Sequence, residues 1–311
     1  MSELNQSMKE FTYKIELGEE DERIDKWISR ACDSLSRSYI QKLIKEEHVF
    51  VNDRPQKASY RIKAEDEIRF QIPDAAQPAI PAEDIPLSIL YEDDDLLIVD
   101  KPKNMVVHPA PGHYSGTLVN AVLFHCRNRL SGINGILRPG IVHRIDKDTT
   151  GSLIVCKNDM AHQHVASQLK EHSITRKYHA IVHGRLTAEE GCIDAPIGRD
   201  EKDRKKMAVN PKNGKPAVTH YKVLKSFKEY SYIECRLETG RTHQIRVHMA
   251  SIGHPLLGDM VYGCRKTKFS LEGQTLHAMT IGLKHPSTGE YLEVSAPLPA
   301  YFLHLLEILE S

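Results

Sequence analysis

Residues 138–156 read Arg-Pro-Gly-Ile-Val-His-Arg-Ile-Asp-Lys-Asp-Thr-Thr-Gly-Ser-Leu-Ile-Val-Cys. A short apolar run at 141–142 leads into a crowded polar loop that ends at Gly151, and a second apolar run at 153–155 leaves it. The pattern predicts strand, loop, strand. We expect an acidic side chain in this loop to lie at a rigid edge of the fold.

The acid at the centre of the loop is Asp146. Arg144 and Lys147 flank it with positive charge, which favours the ionised carboxylate that a nucleophile requires. The alternative is a tight turn closed by Asp148, Thr149 and Gly151, because Asp, Thr and Gly are ordinary turn residues. The residues alone leave both interpretations open.

The loop His143 to Gly151 resembles the signature loop of the RluA-type pseudouridine synthases, in which the first Asp is the catalytic residue. The resemblance therefore implies Asp146 as the nucleophile. Further stretches resemble other motifs of the same family and follow in the family's order; they lie within residues 101–109, 176–184, 240–259 and 276–299. Each match is weak alone, and together they make the resemblance strong.

The same resemblance implies roles for four more residues. Tyr178 would stack on the uracil or take part in proton transfer, unless it is only a core aromatic of a strand. Arg246 would pair with Asp146 and fix its rotamer. Ile245 would form an apolar wall under the base or simply pack. Arg144 would contact RNA phosphate, or fill the space that the extruded nucleotide leaves.

The predicted fold class is α+β. We expect an RNA-binding module at residues 11–72, a proline-rich linker at 73–86 and a catalytic domain at 87–311. Family members share a central, largely antiparallel mixed sheet, flanked by helices and crossed by a cleft. The N-terminal module should be a small α+β unit of two helices and short strands.

The N-terminal module resembles the small RNA-binding module of a small-subunit ribosomal protein and of many pseudouridine synthases. Its candidate RNA contacts are Arg37, Lys42 and Lys45, although the basic residues could also form an ordinary solvated face. This sequence carries Glu47 and Asp53 where the related modules commonly carry glycine. Ser36 is the expected N-cap of the second helix.

A second basic cluster lies at residues 199–206. It includes Arg204, Lys205 and Lys206, which would bind RNA phosphates with an affinity that falls steeply as salt rises. The alternative is a mobile solvated loop.

Composition excludes several classes of protein. The 42 basic and 42 acidic residues cancel, so bulk positive charge cannot coat nucleic acid, although local basic patches still can. The 17 histidines lack metal-ligand spacing and the six cysteines form no Cys-x-x-Cys pair, so we expect neither a metal site nor a disulfide scaffold. No apolar run approaches a membrane span, and we expect a cytoplasmic monomer.

The sequence therefore predicts an isomerase that converts uridine to pseudouridine in structured RNA, without a cofactor, since the reaction is redox-neutral. The N-terminal module favours 23S-type ribosomal RNA of the large subunit, alone or within a pre-ribosomal particle. One alternative is a tRNA pseudouridine synthase of the same family. Others are a non-catalytic RNA-binding assembly factor and a metal hydrolase that uses the histidines.

Overall fold

The computed structural model describes residues 8–32, 35, 37–73, 80–109, 113–127, 129–133, 138–203, 206–263 and 268–311. The chain divides into two compact units, Met1–Ala79 and Ile80–Ser311. Within the described residues, no helix is both long enough and apolar enough to cross a membrane.

The first unit packs two helices on a four-stranded sheet. Its elements are β1 (Met8–Lys14), α1 (Ile24–Ala31), α2 (Arg37–Lys45), β2 (Val49–Val51), β3 (Arg54–Pro55) and β4 (Glu67–Pro73). The strand order is β1-β4-β2-β3, and every pairing is antiparallel. Apolar residues at helical spacing on α1 and α2 pack on Ile68 and Phe70 of β4.

Two tight turns of this unit place ordinary residues where related modules commonly have glycine. Glu47 has φ of 58° and Asp53 has φ of 61°, both in the left-handed region that favours glycine. The Glu47 amide bonds to the Ile44 carbonyl, so the turn forms without glycine. The expected helix cap, Ser36, lies outside the described residues, and α2 begins at Arg37.

The second unit is built on one large sheet. Its elements are β5 (Ser88–Glu92), β6 (Leu96–Lys101), α3 (Leu118–Cys126), β7 (Thr150–Cys156), α4 (Asp159–Lys170), β8 (Thr175–His183), β9 (Glu190–Asp194), β10 (Ile197–Arg199), β11 (Met207–Val209), β12 (Val218–Ser226), β13 (Tyr230–Leu237), α5 (Gln244–Ser251), β14 (Leu276–Lys284), β15 (Tyr291–Ser295) and α6 (Ala300–Glu310).

The described strands of the large sheet follow the order β5-β6-β7-β14-β8-β13-β12-β9, with β15 also paired to β14. The β7–β14 pair is parallel and the other pairings of this sheet are antiparallel. The predicted α+β fold with a largely antiparallel mixed sheet is therefore confirmed. The separate hairpin β10–β11 was not expected from the sequence.

A glycine lies where β7 meets β14. Gly151 has φ of 107°, and a Cβ there would overlap the backbone of Ala278. Gly151 pairs with Ala278 on one side and with Lys101 on the other. Glycine is therefore required for the strand that leaves the Asp146 loop to enter the centre of the sheet.

The structure corrects one local expectation. The apolar run at 141–142 does not form a strand, because Ile141 makes only an isolated bridge to Val155. Further along, the Ile154 amide donates to Nε2 of His143 at 2.9 Å, where a longer strand would supply a carbonyl. The His143 imidazole thus takes the place of a strand carbonyl. Strand-like pairing of this segment with β7 is limited to the bridge at Ile141, and the loop begins directly after it.

Part of the segment expected to be a linker belongs to the second unit. The amide side chain of Asn120 donates to the Pro81 carbonyl at 2.8 Å, and the Glu83 amide donates to the Asn120 carbonyl at 3.0 Å. Ile80 and Ile85 pack on the core of that unit. Residues 74–79 lie outside the described part of the chain.

Candidate active site

The loop before β7 is shaped by buried polar groups. His143 accepts the Ile154 amide, and burial, reinforced by the charge of Arg176, lowers its pKa to about 3. The imidazole is therefore neutral at physiological pH and acts as a structural acceptor. The Thr149 amide closes a turn onto the Asp146 carbonyl at 3.1 Å.

Lys101, at the end of β6, binds the backbone of the Asp146 loop. Its fully buried ammonium group donates to the carbonyls of Pro102, Met105 and Lys147 at 2.7, 2.9 and 3.0 Å. Burial lowers the pKa of Lys101 to about 7, against the attraction of nearby aspartates. Three carbonyls use all three ammonium protons, so one side chain ties the end of β6 to the Asp146 loop.

Asp146 is held by a chain of charges. Arg246 on α5 donates from Nη1 to Oδ2 of Asp146 at 2.9 Å, and from Nε and Nη2 to the carboxylate of Asp259 at 2.6 and 3.0 Å. Asp259 is buried, whereas the Asp146 side chain is 18 % exposed. The guanidinium is therefore anchored on a buried acid and presents one N–H to the accessible acid.

Burial disfavours the charged forms of Arg246 and Asp259, but the ion pair between them shifts both pKa values in the opposite direction. Burial would lower the pKa of Arg246, but hydrogen bonding to and attraction from Asp259, together with attraction from Asp146, raise it above its ordinary value. Burial would likewise raise the pKa of Asp259, and the bonds from Arg246 lower it instead. Both groups stay charged at neutral pH.

The second oxygen of Asp146 faces a histidine. Nε2 of His243 lies 3.8 Å from Oδ1, and Nδ1 of His243 lies 2.8 Å from the hydroxyl of Tyr262. That hydroxyl accepts the Met207 amide of β11 at 3.0 Å, and the Tyr262 ring lies 5.1 Å from the guanidinium carbon of Arg246. Tyr262 thus supports both residues that face the Asp146 carboxylate.

A cleft of about 520 Å³ opens over Asp146. The structure brings all five sequence-predicted active-site residues into its lining: Arg144, Asp146, Tyr178, Ile245 and Arg246. Leu237 and Leu276 add apolar surface. A second cavity of about 330 Å³ lies against Asp146 as well, and His243 and Arg246 line both cavities.

Tyr178 belongs to both the core and the cleft. It lies on β8, is 9 % exposed and packs in the largest apolar cluster. Burial, with a further contribution from Asp146, raises the pKa of its hydroxyl, although Arg176 opposes the shift. Tyr178 therefore presents a protonated phenol to the cleft at neutral pH.

The residues predicted to contact RNA lie in different surroundings. Arg37 donates to Asp25 at 3.0 Å and Lys42 lies 3.8 Å from Glu46, whereas Lys45 is exposed and lines a cavity of the first unit. Arg204 and Lys205 lie outside the described residues. Lys206 is partly buried next to β11.

Sequence reasoning assigned no role to Asp259, His243 or Tyr262, although Asp259 and His243 lie within the stretch 240–259 that resembles a family motif. Their signal is their closeness in sequence to Arg246, which does not reveal the distances between their side chains. Among the described residues, no group of three or more His, Cys, Asp or Glu side chains could hold a metal ion.

Comparison with known proteins gives two family matches. Residues 95–251 match the RNA pseudouridylate synthase family, and residues 22–68 match the S4 domain. The uncharacterised RNA pseudouridine synthase YlyB of Bacillus subtilis is 52% identical over 94% of this chain and 96% of its own. Ribosomal large subunit pseudouridine synthase D of Zymomonas mobilis is 46% identical over 89% of this chain and 90% of its own.

Solved structures give the same result. Human RNA pseudouridylate synthase domain containing 1 superposes with a TM-score of 0.58 at 25% identity, covering 74% of this chain and 97% of that one. Human RNA pseudouridylate synthase domain containing 4 gives a TM-score of 0.55 at 28% identity, covering 72% and 93%.

Proposed function

The chain belongs to the RNA pseudouridylate synthase family, and we propose that it isomerises uridines of large-subunit ribosomal RNA with Asp146 as the reacting carboxylate. As a family member it is an RNA pseudouridine synthase. The observation that carries the choice of Asp146 is its geometry: a partly exposed carboxylate with one oxygen fixed by Arg246 at the edge of a cleft.

The reaction breaks the glycosidic carbon–nitrogen bond, turns the uracil and rejoins it through carbon 5. A fixed anion next to the sugar or the base can react at the bond that breaks, because its orientation is set before the substrate arrives. Arg246 takes one oxygen, so Oδ1 is the atom left to react. No electrons are gained or lost, and we propose that no cofactor takes part.

The loosened uracil needs a surface that holds it while it turns. Tyr178 and Ile245, with Leu237 and Leu276, give the cleft an apolar lining of the right kind for a planar base. The protonated phenol of Tyr178 can also donate a hydrogen bond to a uracil oxygen. Tyr178 is therefore proposed to hold the ring.

The rim of the cleft suits an RNA backbone. The exposed or partly exposed basic residues of its lining are Arg144, Lys170 and Arg241, whereas Arg176 and Arg246 are buried, and Asp146 is the acid among the lining residues. Exposed cations at the mouth can position phosphates, while an enzyme that works on one base must extrude it from the stack. Arg144, exposed beside Asp146, is placed to contact the phosphate or to fill the vacated space.

The substrate class rests on the relatives. Two proteins named ribosomal large subunit pseudouridine synthase D, from Zymomonas mobilis and Pasteurella multocida, align over 89% and 96% of this chain. Alignment over most of the chain at 46% and 40% identity supports a shared class of RNA.

The test is to map pseudouridine in RNA from a strain that lacks the gene and carries either the native copy or an Asp146→Asn copy. We expect the native copy to restore sites in large-subunit ribosomal RNA and the variant to restore none. Restored sites in tRNA alone would contradict the substrate class. Restoration by the variant would contradict the role of Asp146.

A further inference from the structure

His243 is held beside the reacting carboxylate by an unusual backbone conformation. It precedes α5 with φ of 57° and ψ of 23°, in the left-handed region that is uncommon for residues other than glycine, although histidine, like asparagine and aspartate, adopts it more often than most. Its ring packs edge-on against Tyr262 at 5.6 Å between ring centres. This backbone conformation directs Nε2 to within 3.8 Å of Oδ1 of Asp146.

Tyr262 contacts one nitrogen of the His243 ring and Asp146 faces the other, and both bear on which nitrogen carries the proton. Burial lowers the pKa of His243 despite the attraction of Asp146, so the neutral ring carries one N–H. We infer that the Tyr262 oxygen, which accepts the Met207 amide, donates its O–H to Nδ1, because the Nε2 edge of the ring faces the Asp146 carboxylate and is best occupied by an N–H. The ring proton is then on Nε2, the tautomer that also places a donor, not a lone pair, towards the carboxylate.

The gap between His243 and Asp146 is too long for a hydrogen bond, since such bonds between nitrogen and oxygen span about 2.7–3.2 Å. A hydroxyl group could bridge it, accepting from Nε2–H and donating to Oδ1 at about 2.8 Å from each. Arg246 lies on the other oxygen of Asp146, to which its Nη1 donates, while its Nε and Nη2 donate to Asp259.

The ribose 2′-hydroxyl is both donor and acceptor, and it is the group by which a protein distinguishes RNA from DNA. It is attached to the carbon next to the glycosidic carbon, so a carboxylate that reaches the bond to be broken also lies near this hydroxyl. We propose that His243 and Asp146 together bind the 2′-hydroxyl of the target nucleotide, and that His243 makes the enzyme select a ribonucleotide there. The proposal rests on the proposed role of Asp146.

The experiment compares two RNAs that contain a mapped target site and differ only at the target, which is uridine in one and 2′-deoxyuridine in the other. For each protein, kcat/KM is measured by tritium release from carbon 5, and the ratio of the two values is the ribose preference. Any difference in intrinsic chemical reactivity between the two nucleotides is the same for every protein. It therefore cancels when the ribose preference of one protein is compared with that of another. If the deoxy target is bound without turnover, the ratio of Kd values replaces the ratio of rates.

We expect His243→Ala to lower the ribose preference roughly 10- to 100-fold, because one hydrogen bond to the hydroxyl is lost. His243→Gln, whose amide nitrogen reaches the same position, should retain most of the preference. Tyr262→Phe keeps the ring beside Arg246 but removes the hydroxyl that fixes the tautomer, so it should lower the preference by a smaller factor.

An unchanged preference in His243→Ala, with both RNAs slowed equally, would overturn the proposal and leave His243 a structural residue. The same conclusion follows if His243→Gln is no better than His243→Ala. The proposed function fails by a different result, namely turnover of the uridine RNA by Asp146→Asn. Tyr262→Phe and His243→Gln keep the test decisive even if the alanine variant does not fold.

Discussion

Asp259 is not among the residues that line the cleft over Asp146. Replacing it with Asn should nevertheless loosen the position of the Asp146 carboxylate. Asp259 is 1 % exposed, and its carboxylate accepts two bonds from Arg246 and two more from the amides of Val261 and Tyr262. Asn keeps the shape but removes the charge and turns an N–H₂ group towards the guanidinium. Removing one partner of a buried ion pair costs about 3–5 kcal/mol. Arg246 keeps its bond to Asp146, so we expect about 3 kcal/mol.

The same change should slow the reaction. Without its anchor, Arg246 no longer sets the position of the Asp146 carboxylate, and a displacement of about 1 Å in a reacting group can cost roughly 100-fold in rate. We therefore expect kcat to fall roughly 100-fold while the variant still folds.

The assay is urea unfolding of the whole chain, followed by circular dichroism. Fluorescence is unsuitable, because the single tryptophan, Trp27, lies in the first unit. The matched control is Asp146→Asn, which leaves the Arg246–Asp259 pair intact and removes the charge of the more exposed acid, so it should change the free energy of unfolding by less than about 1 kcal/mol while abolishing activity. Equal stability of Asp259→Asn and the native protein, or a larger loss in Asp146→Asn, would refute the reasoning.

Three further predictions concern other parts of the chain. Lys101→Met should remove the donor of one buried and two partly buried carbonyls and lower stability by about 2–3 kcal/mol, seen as a lower Tm in calorimetry; an unchanged Tm would contradict the role given to Lys101. Burial would raise the pKa of Asp25, but Arg23, Gln41 and Arg37 lower it to about 2, so this carboxylate stabilises the fold above its ordinary pKa of 3.8 and loses the effect as pH falls through 2. Asp25→Asn should therefore lower the free energy of unfolding by about 2 kcal/mol at pH 7. Unfolding followed by Trp27 fluorescence should show the difference in this free energy between variant and native protein shrinking between pH 5 and 2; a constant difference would exclude this linkage. Arg144→Ala should weaken RNA binding and reduce the slope of log Kd against log salt by about 1, with Tm unchanged; a native slope would show that Arg144 meets no phosphate.

The sequence predicts the regular elements of the second unit well, because their patterns are local. The continuous apolar run at 96–99 forms β6, and Thr117 and Asn158, residue types common at helix starts, cap α3 and α4. Five candidate active-site residues also converge on one cleft, although Asp146, Tyr178 and Arg246 come from a loop, a strand and a helix. The resemblance to a family supplied that convergence, since spacing along the chain does not.

What the sequence could not predict depends on tertiary contact. The expected strand at 141–142 is reduced to one bridge because a side chain, His143, satisfies the next amide of β7. Asp259 gains its importance from a bidentate bond to Arg246, and His243 from a left-handed backbone conformation. Such features leave no periodic signal, because each depends on where two distant or unusually bent segments meet.

The central claim is that Asp146 reacts, and loss of tritium from carbon 5 of uridine tests it most directly, because that hydrogen leaves when the new carbon–carbon bond forms. The matched control is Asp148→Asn, which removes the other acid of the same loop. With equal amounts of folded protein, we predict release by the native enzyme and by Asp148→Asn, and none above background by Asp146→Asn. Release by Asp146→Asn within tenfold of the native rate would contradict the account.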